Sequence, residues 1–175
     1  VTDGQTRQQI LDALGAESLE ALQKQTAQLW TENSWDDGLV TSTLANSIWL
    51  RNGYSYNDET LKTLGEDYYA SAFSGEMGSD AYNHMLRDWL NEHTGDLLTE
   101  QANSLKLDPN TVIALVSTIY YRAPWSDSFY DGATAPDVFH APDGDVTVDF
   151  MHSSEYNTVY YGDGFSALGL SLQNS

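Results

Sequence analysis

The chain has 175 residues, 41% of them hydrophobic, and carries 26 Asp plus Glu against 7 Lys plus Arg, a net charge of −19. That length suits one ordinary domain with a sizeable core. The charge argues against nucleic acid or an anionic membrane surface as partner, because both need a basic patch to release counter-ions, and it serves solubility. With no cysteine, disulfides, thiol nucleophiles and thiolate metal sites are excluded, and no apolar run reaches the length of a membrane span.

Thr6 stands three residues before Gln9, with Ile10, Leu11 and Leu14 following and Gly15 behind them, so 6–14 reads as a short capped helix. A second helix opens at Ser18, with Leu19, Leu22, Thr26, Leu29 and Trp30 on one face, and Asn33 to Gly38 is loop. From Val40 the period changes to two: Leu44, Asn46, Ile48 and Leu50 fall on one side of a strand, Ala45, Ser47 and Trp49 on the other. Asn46 is then a buried amide that must find partners. Asn52-Gly53 turns the chain, and Asn57 or Asp58 caps a helix carrying Leu61, Leu64 and Tyr68.

Ala70 to Met77 reads as a strand ended by Gly78. Ser79 caps an amphipathic helix, 80–94, whose apolar stripe is Tyr82, Met85, Leu86, Trp89, Leu90 and His93, opposite Asp80, Asn83, Arg87, Asp88 and Asn91. Gly95 stops it. The longest apolar run, TVIALVSTIYYRAPW at 111–125, has no polar alternation from Val112 to Val116, which predicts a central strand covered on both faces. Ala123-Pro124 closes it. Past Trp125, segment 137–152 reads as a hairpin turning at Asp143-Gly144, and a further pair around 156–161 and 166–172 is separated by Gly162 and Gly164. Helices and single strands followed by hairpins make an α+β chain with more than one sheet.

Residue types that carry chemistry are present but poorly arranged for it. His84, His93, His140 and His152 form no helical i, i+4 pair, so no metal site is expected. Asp143, Asp145 and Asp149 lack the Glu of a calcium loop. Ser166 lacks the second glycine of a nucleophile elbow. The tyrosine pairs at 68–69, 120–121 and 160–161, with Trp49, Trp89 and Trp125, fit core and sheet positions more cheaply than a carbohydrate cleft. Asp36-Asp37 and Glu66-Asp67 sit where solvated charge is usual. Neither enzyme activity nor a cofactor is expected.

Five segments in one order, DGQTRQQILDAL, LANSIWLRNGYSYNDETLKTLGEDYYAS, LRDWLNEHTGDL, LDPNTVIALVSTIYYRAPWSDSFY and DVFHAPDGDVTVDFMH, resemble the serpins, the serine-protease-inhibitor fold. The resemblance covers nearly the whole chain. It implies a partial serpin domain over 1–175: helices and large-sheet strands in 1–110, a central strand in 111–125, and hairpins of smaller sheets in 126–175. It also implies a large mixed sheet crossed by helix 80–94 through Tyr82, Leu86 and Trp89. The implied activity is inhibition of a serine or cysteine protease by cleavage of an exposed loop and its insertion as a new strand, with a non-inhibitory binding or structural module as the alternative. Trp125 corresponds to the tryptophan where insertion starts, and Asn46, Ser117 and Thr118 belong to the region that must part. The family's usual asparagine stands here as Ser117, its lysine-glycine before the tryptophan as Arg122-Ala123-Pro124, and the asparagine before the helix tryptophan as Arg87. By the same comparison the reactive-centre loop lies outside this chain, and the remainder of the serpin chain is an expected partner. An extracellular or cell-surface location follows by analogy alone, and the acidic, cysteine-free, sequon-free composition fits a bacterial origin.

Overall fold

The computed structural model describes residues 4–154 and 156–173, so Val1 to Asp3, Glu155, Asn174 and Ser175 lie outside it. The chain divides into two compact units, Val1–Arg122 and Ala123–Ser175. In the first, helices α1 (Gly4–Leu14) and α2 (Leu19–Asn33) precede strands β1 (Trp35–Asp36) and β2 (Thr41–Arg51). Helix α3 (Asp58–Tyr68), β3 (Ala70–Gly75), α4 (Asp80–Glu92), α5 (Thr99–Ser104) and β4 (Ile113–Arg122) complete it. Side chains fix three helix starts, as Ser18, Asn57 and Ser79 accept from the backbone N–H of Ala21, Thr60 and Tyr82, each satisfying an amide the first turn leaves free.

The sheet is mixed. β2 runs parallel to β3, from Asn46↔Ala70 to Arg51↔Gly75, and antiparallel to β4, from Thr41↔Arg122 to Leu50↔Ile113. The short β1 pairs antiparallel with the start of β2. Two-residue periodicity sends Ala45, Ser47 and Trp49 to one face and Leu44, Asn46, Ile48 and Leu50 to the other. Trp49 is fully buried on the first face, in a cluster with Tyr82, Leu86, Trp89 and Leu90 of α4 and with Met77, Ala102 and Leu107. Burying each large side chain contributes about 1.5–3 kcal/mol, so this stripe is what holds α4 against the sheet.

Several expectations need correcting, the first being the loop expected over 33–38, within which Trp35–Asp36 forms β1 against the start of β2. The strand within 111–125 is not covered on both faces: Ala114, Val116 and Thr118 turn inward, whereas Ile113, Leu115 and Ile119 are 49%, 75% and 81% exposed. Among the described residues one layer covers β4, and it pairs with β2 alone, so it is an edge strand here. Asn83, placed on the polar side of α4, is buried, because its amide brackets two backbone groups. Met85, placed in the apolar stripe, is 46% exposed. Helix α5 was not expected, since TEQANS shows no apolar period and buries only Ala102.

The second unit holds two hairpins. β5 (Ala135–Ala141) pairs with β6 (Gly144–Phe150), turning at Pro142-Asp143, one residue before the expected position. β7 (Val159–Gly162) pairs with β8 (Phe165–Leu168) around Asp163-Gly164.

Candidate functional site

From Leu44 to Leu50 the β2–β4 ladder is apolar on the face away from α4 except at one rung. Leu44↔Ile119, Ile48↔Leu115 and Leu50↔Ile113 flank Asn46↔Ser117. There the Ser117 hydroxyl donates to Asn46 Oδ1 at 2.8 Å, while Asn46 Nδ2 donates to the Tyr68 carbonyl at 3.4 Å. One half-buried amide thus ties β2 to β4 and to the last residue of α3. On the opposite face Ser47 Oγ donates to the Val116 carbonyl at 3.3 Å and accepts from Trp49 Nε1 at 2.9 Å. Thr118, opposite Ala45, is buried, and its Oγ1 has no hydrogen-bond partner among the described residues.

Helix α4 is held by polar contacts at its N-terminal end. The Tyr82 hydroxyl accepts from Leu50 N–H and donates to Leu50 C=O, both at 3.1 Å, and its ring meets Trp49 edge-on at 5.2 Å between centroids. The ring needs Gly75 beneath it, since a Cβ there would lie 2.5 Å from Tyr82 Cδ2. Asn83 Nδ2 donates to the Gly78 carbonyl at 3.2 Å, and Asn83 Oδ1 accepts from Leu107 N–H at 2.8 Å. Towards the other end the polar bonding thins: Trp89 Nε1 and Asn91 Oδ1 are buried without hydrogen-bond partners among the described residues. Just past the helix Gly95 takes a left-handed φ of 56°, and a Cβ there would meet the Tyr120 ring at 2.6 Å, so glycine is required on both counts.

Asn46, Ser117, Thr118, Tyr82, Leu86 and Trp89 therefore gather in one unit, around the β2–β4 seam and beneath α4. Trp125 belongs to the second unit, where it bridges to Leu172 and meets Phe129 edge-on at 6.4 Å. Burial raises the Tyr82 phenol above its ordinary 10.0 despite the Leu50 hydrogen bond, and burial with the Asp67 charge does the same for Tyr68. No carboxylate or histidine lies among the seam residues, and among the described residues no three His, Asp or Glu converge to hold a metal. The seam is a hydrogen-bonded ladder with no acid–base pair. The Tyr82 anchor and the Asn83 bracket were not legible as such; the available signal was a tyrosine opening the apolar stripe seven residues after Gly75.

A mixed sheet whose long central pairing is crossed by one amphipathic helix, followed by successive hairpins, is the architecture of the serpin class. The family model Serpin (serine protease inhibitor) matches residues 2–175, and the chain belongs to that family. A serpin-like protein of Thermococcus kodakarensis is 30% identical over 129 residues, which are 71% of this chain and 29% of that protein. Serpin-Z2B of Triticum aestivum is 26% identical, covering 95% of this chain and 44% of that protein. The Arabidopsis protein AtSerpin1, in its native stressed conformation, superposes with a TM-score of 0.81 at 25% identity over 98% of this chain and 45% of that one. The chain thus spans less than half the length of each of these relatives.

Proposed function

We propose that the protein inhibits a serine-type endopeptidase by loop cleavage and insertion, with the new strand added beside β4. The observation that carries this is the family match together with the arrangement of β4, which lies antiparallel to β2 in the mixed sheet with Ala114 and Val116 packed against the α4 cluster. A strand is added to a sheet through main-chain pairing alongside an existing strand. Insertion beside β4 requires α4 to lift from the seam, and the Asn46–Ser117 bond keeps β2 and β4 in register while it does. Trp125, three residues past β4, marks the end at which insertion starts, and Thr118 belongs to the part of the seam that adjusts. The protein acts as a trapped substrate of its target rather than as a catalyst. It needs no metal or cofactor, and it meets the protease outside the cell or at its surface.

Ser117 favours a second reading, a non-inhibitory binding module of the same fold, because one hydroxyl replaces the two donors and the acceptor of the usual amide. Incubation of the intact protein with a panel of serine proteases, read on a denaturing gel, separates the two. A covalent band at the summed mass that survives boiling is the expected result. Cleavage without such a band would overturn inhibition and leave the second reading.

A further inference from the structure

We propose that the protein is built to hold its fold in concentrated salt, with monovalent cations as required counter-ions, and that it opens in dilute buffer. Two independent observations carry this. The first is the amount and placement of charge: 26 carboxylates face 7 cationic side chains. Leaving out Asp3 and Glu155, which lie outside the described residues, all 24 remaining Asp and Glu are exposed. Even perfect one-to-one pairing would leave 19 carboxylates without a cation. Solubility asks for a net charge of only about 2–8 on a small domain, so that role does not account for −19.

The second observation is local. Helix dipoles favour bases in the last turn, yet none of the five α-helices has one there. Instead α2 ends with Glu32 beside its last residue, α3 with Glu66 and Asp67, and α4 on Glu92. Lys62 does reach Glu66, but at 3.9 Å between exposed side chains. These helices end in negative charge against the negative pole; the chain offsets it with the exposed Lys62 and with the amides of Gln28 on Glu32 and Gln23 on Asp67, and dissolved cations relieve the rest. The screening length is about 10 Å at 0.1 M salt and about 3 Å at 1 M. Carboxylates spread over one small surface repel across the first distance and not across the second.

The test is made on the intact protein, equilibrated between about 3 M and about 0.1 M KCl, the range over which screening shortens to a single contact. Near-ultraviolet circular dichroism and the urea midpoint are recorded at each step. The expected result is loss of the tertiary signal at the dilute end and a urea midpoint that keeps rising through the molar range. A quadruple variant, Glu17→Lys, Glu32→Lys, Glu76→Lys and Glu92→Lys, moves the net charge by eight, from −19 to −11. It should fold at less than half the KCl concentration the parent needs, with the matching glutamine variant between the two. Indifference to KCl over the whole range would overturn the proposal. So would a quadruple variant that keeps the parent's salt midpoint, or equal rescue by sucrose without salt, which would assign the effect to general surface exclusion. None of these outcomes bears on whether a protease is trapped.

Discussion

Tyr82 is the side chain on which the attachment of α4 to the sheet can be measured. Its hydroxyl makes both hydrogen bonds to Leu50, and its ring fills the space above Gly75 against Trp49. Tyr82→Phe keeps the ring and removes the two bonds, so at about 0.5–1.5 kcal/mol each the expected loss is about 1–3 kcal/mol. Tyr82→Ala removes the ring as well, and truncating a buried aromatic costs about 3–5 kcal/mol. Urea unfolding of the intact protein in its working salt measures both. The phenol adds a pH signature. Its native pKa is raised above 10.0, chiefly by burial, so the folded state favours the protonated form. Its contribution is therefore complete below pH 10 and is lost as pH climbs through the raised native value. The parent should lose stability above pH 10 faster than Tyr82→Phe does. The Tyr68 contribution, also raised, is common to both proteins and cancels in the comparison. The reasoning is refuted if Tyr82→Phe unfolds within about 0.5 kcal/mol of the parent, the range of an ordinary surface change, or if the two alkaline limbs run parallel.

Asn83→Leu keeps the branched shape of the side chain but strips Leu107 N–H and the Gly78 carbonyl of their partner; a destabilisation of about 1–3 kcal/mol, measured by urea unfolding, is expected for each buried group left unpaired. Thr118→Val should be neutral or stabilising by up to about 1–3 kcal/mol, because it removes a buried hydroxyl with no hydrogen-bond partner among the described residues. A thermal midpoint that falls instead would show that the hydroxyl is satisfied. Ser117→Ala removes the 2.8 Å bond to Asn46 and should cost about 0.5–1.5 kcal/mol. On the proposed function it should also change the ratio of trapped to turned-over protease on the gel. Hydrogen exchange should show greater protection in α4 near Tyr82 and Asn83 than near Trp89 and Asn91, where polar bonding to neighbouring elements is missing.

What could be read from residues alone was whatever depends on local chemistry. Ser18 and Ser79 cap their helices because a β-region serine before an apolar stripe offers its oxygen to the first free amides. Period two placed Trp49 and Asn46 on opposite faces of β2, since side-chain alternation is a property of the backbone. The failures lie where an outcome depends on what else is packed nearby. The apolar run in 111–125 records that β4 suits burial on both faces, but a strand cannot state whether its second layer is supplied, and Ile119 is left 81% exposed. Asn83 fails for the converse reason. An amide on a helix surface reads as solvated until the backbone of a remote segment, here Leu107, arrives 24 residues later to use it.

The same division runs through the candidate site. Asn46 could be flagged because an amide in an apolar strand has to be satisfied, and the structure satisfies it with Ser117 across the ladder and Tyr68 beside it. Nothing local marked Tyr82 as the anchor of α4, because that role comes from the open space over Gly75 and the end of β2 meeting at one point. Helix α4, which on the proposed function must rise for a strand to be added beside β4, is thus attached unevenly, bonded near Tyr82 and Asn83 and resting on apolar contact near Trp89. Lifting the Trp89 end breaks no hydrogen bond of the Trp89 Nε1 or Thr118 Oγ1 groups and gives both access to water, whereas lifting the Tyr82 end breaks two. Counted in hydrogen bonds alone, the Trp89 end is the less firmly bonded one, and what holds it is the burial of Leu86, Trp89 and Leu90.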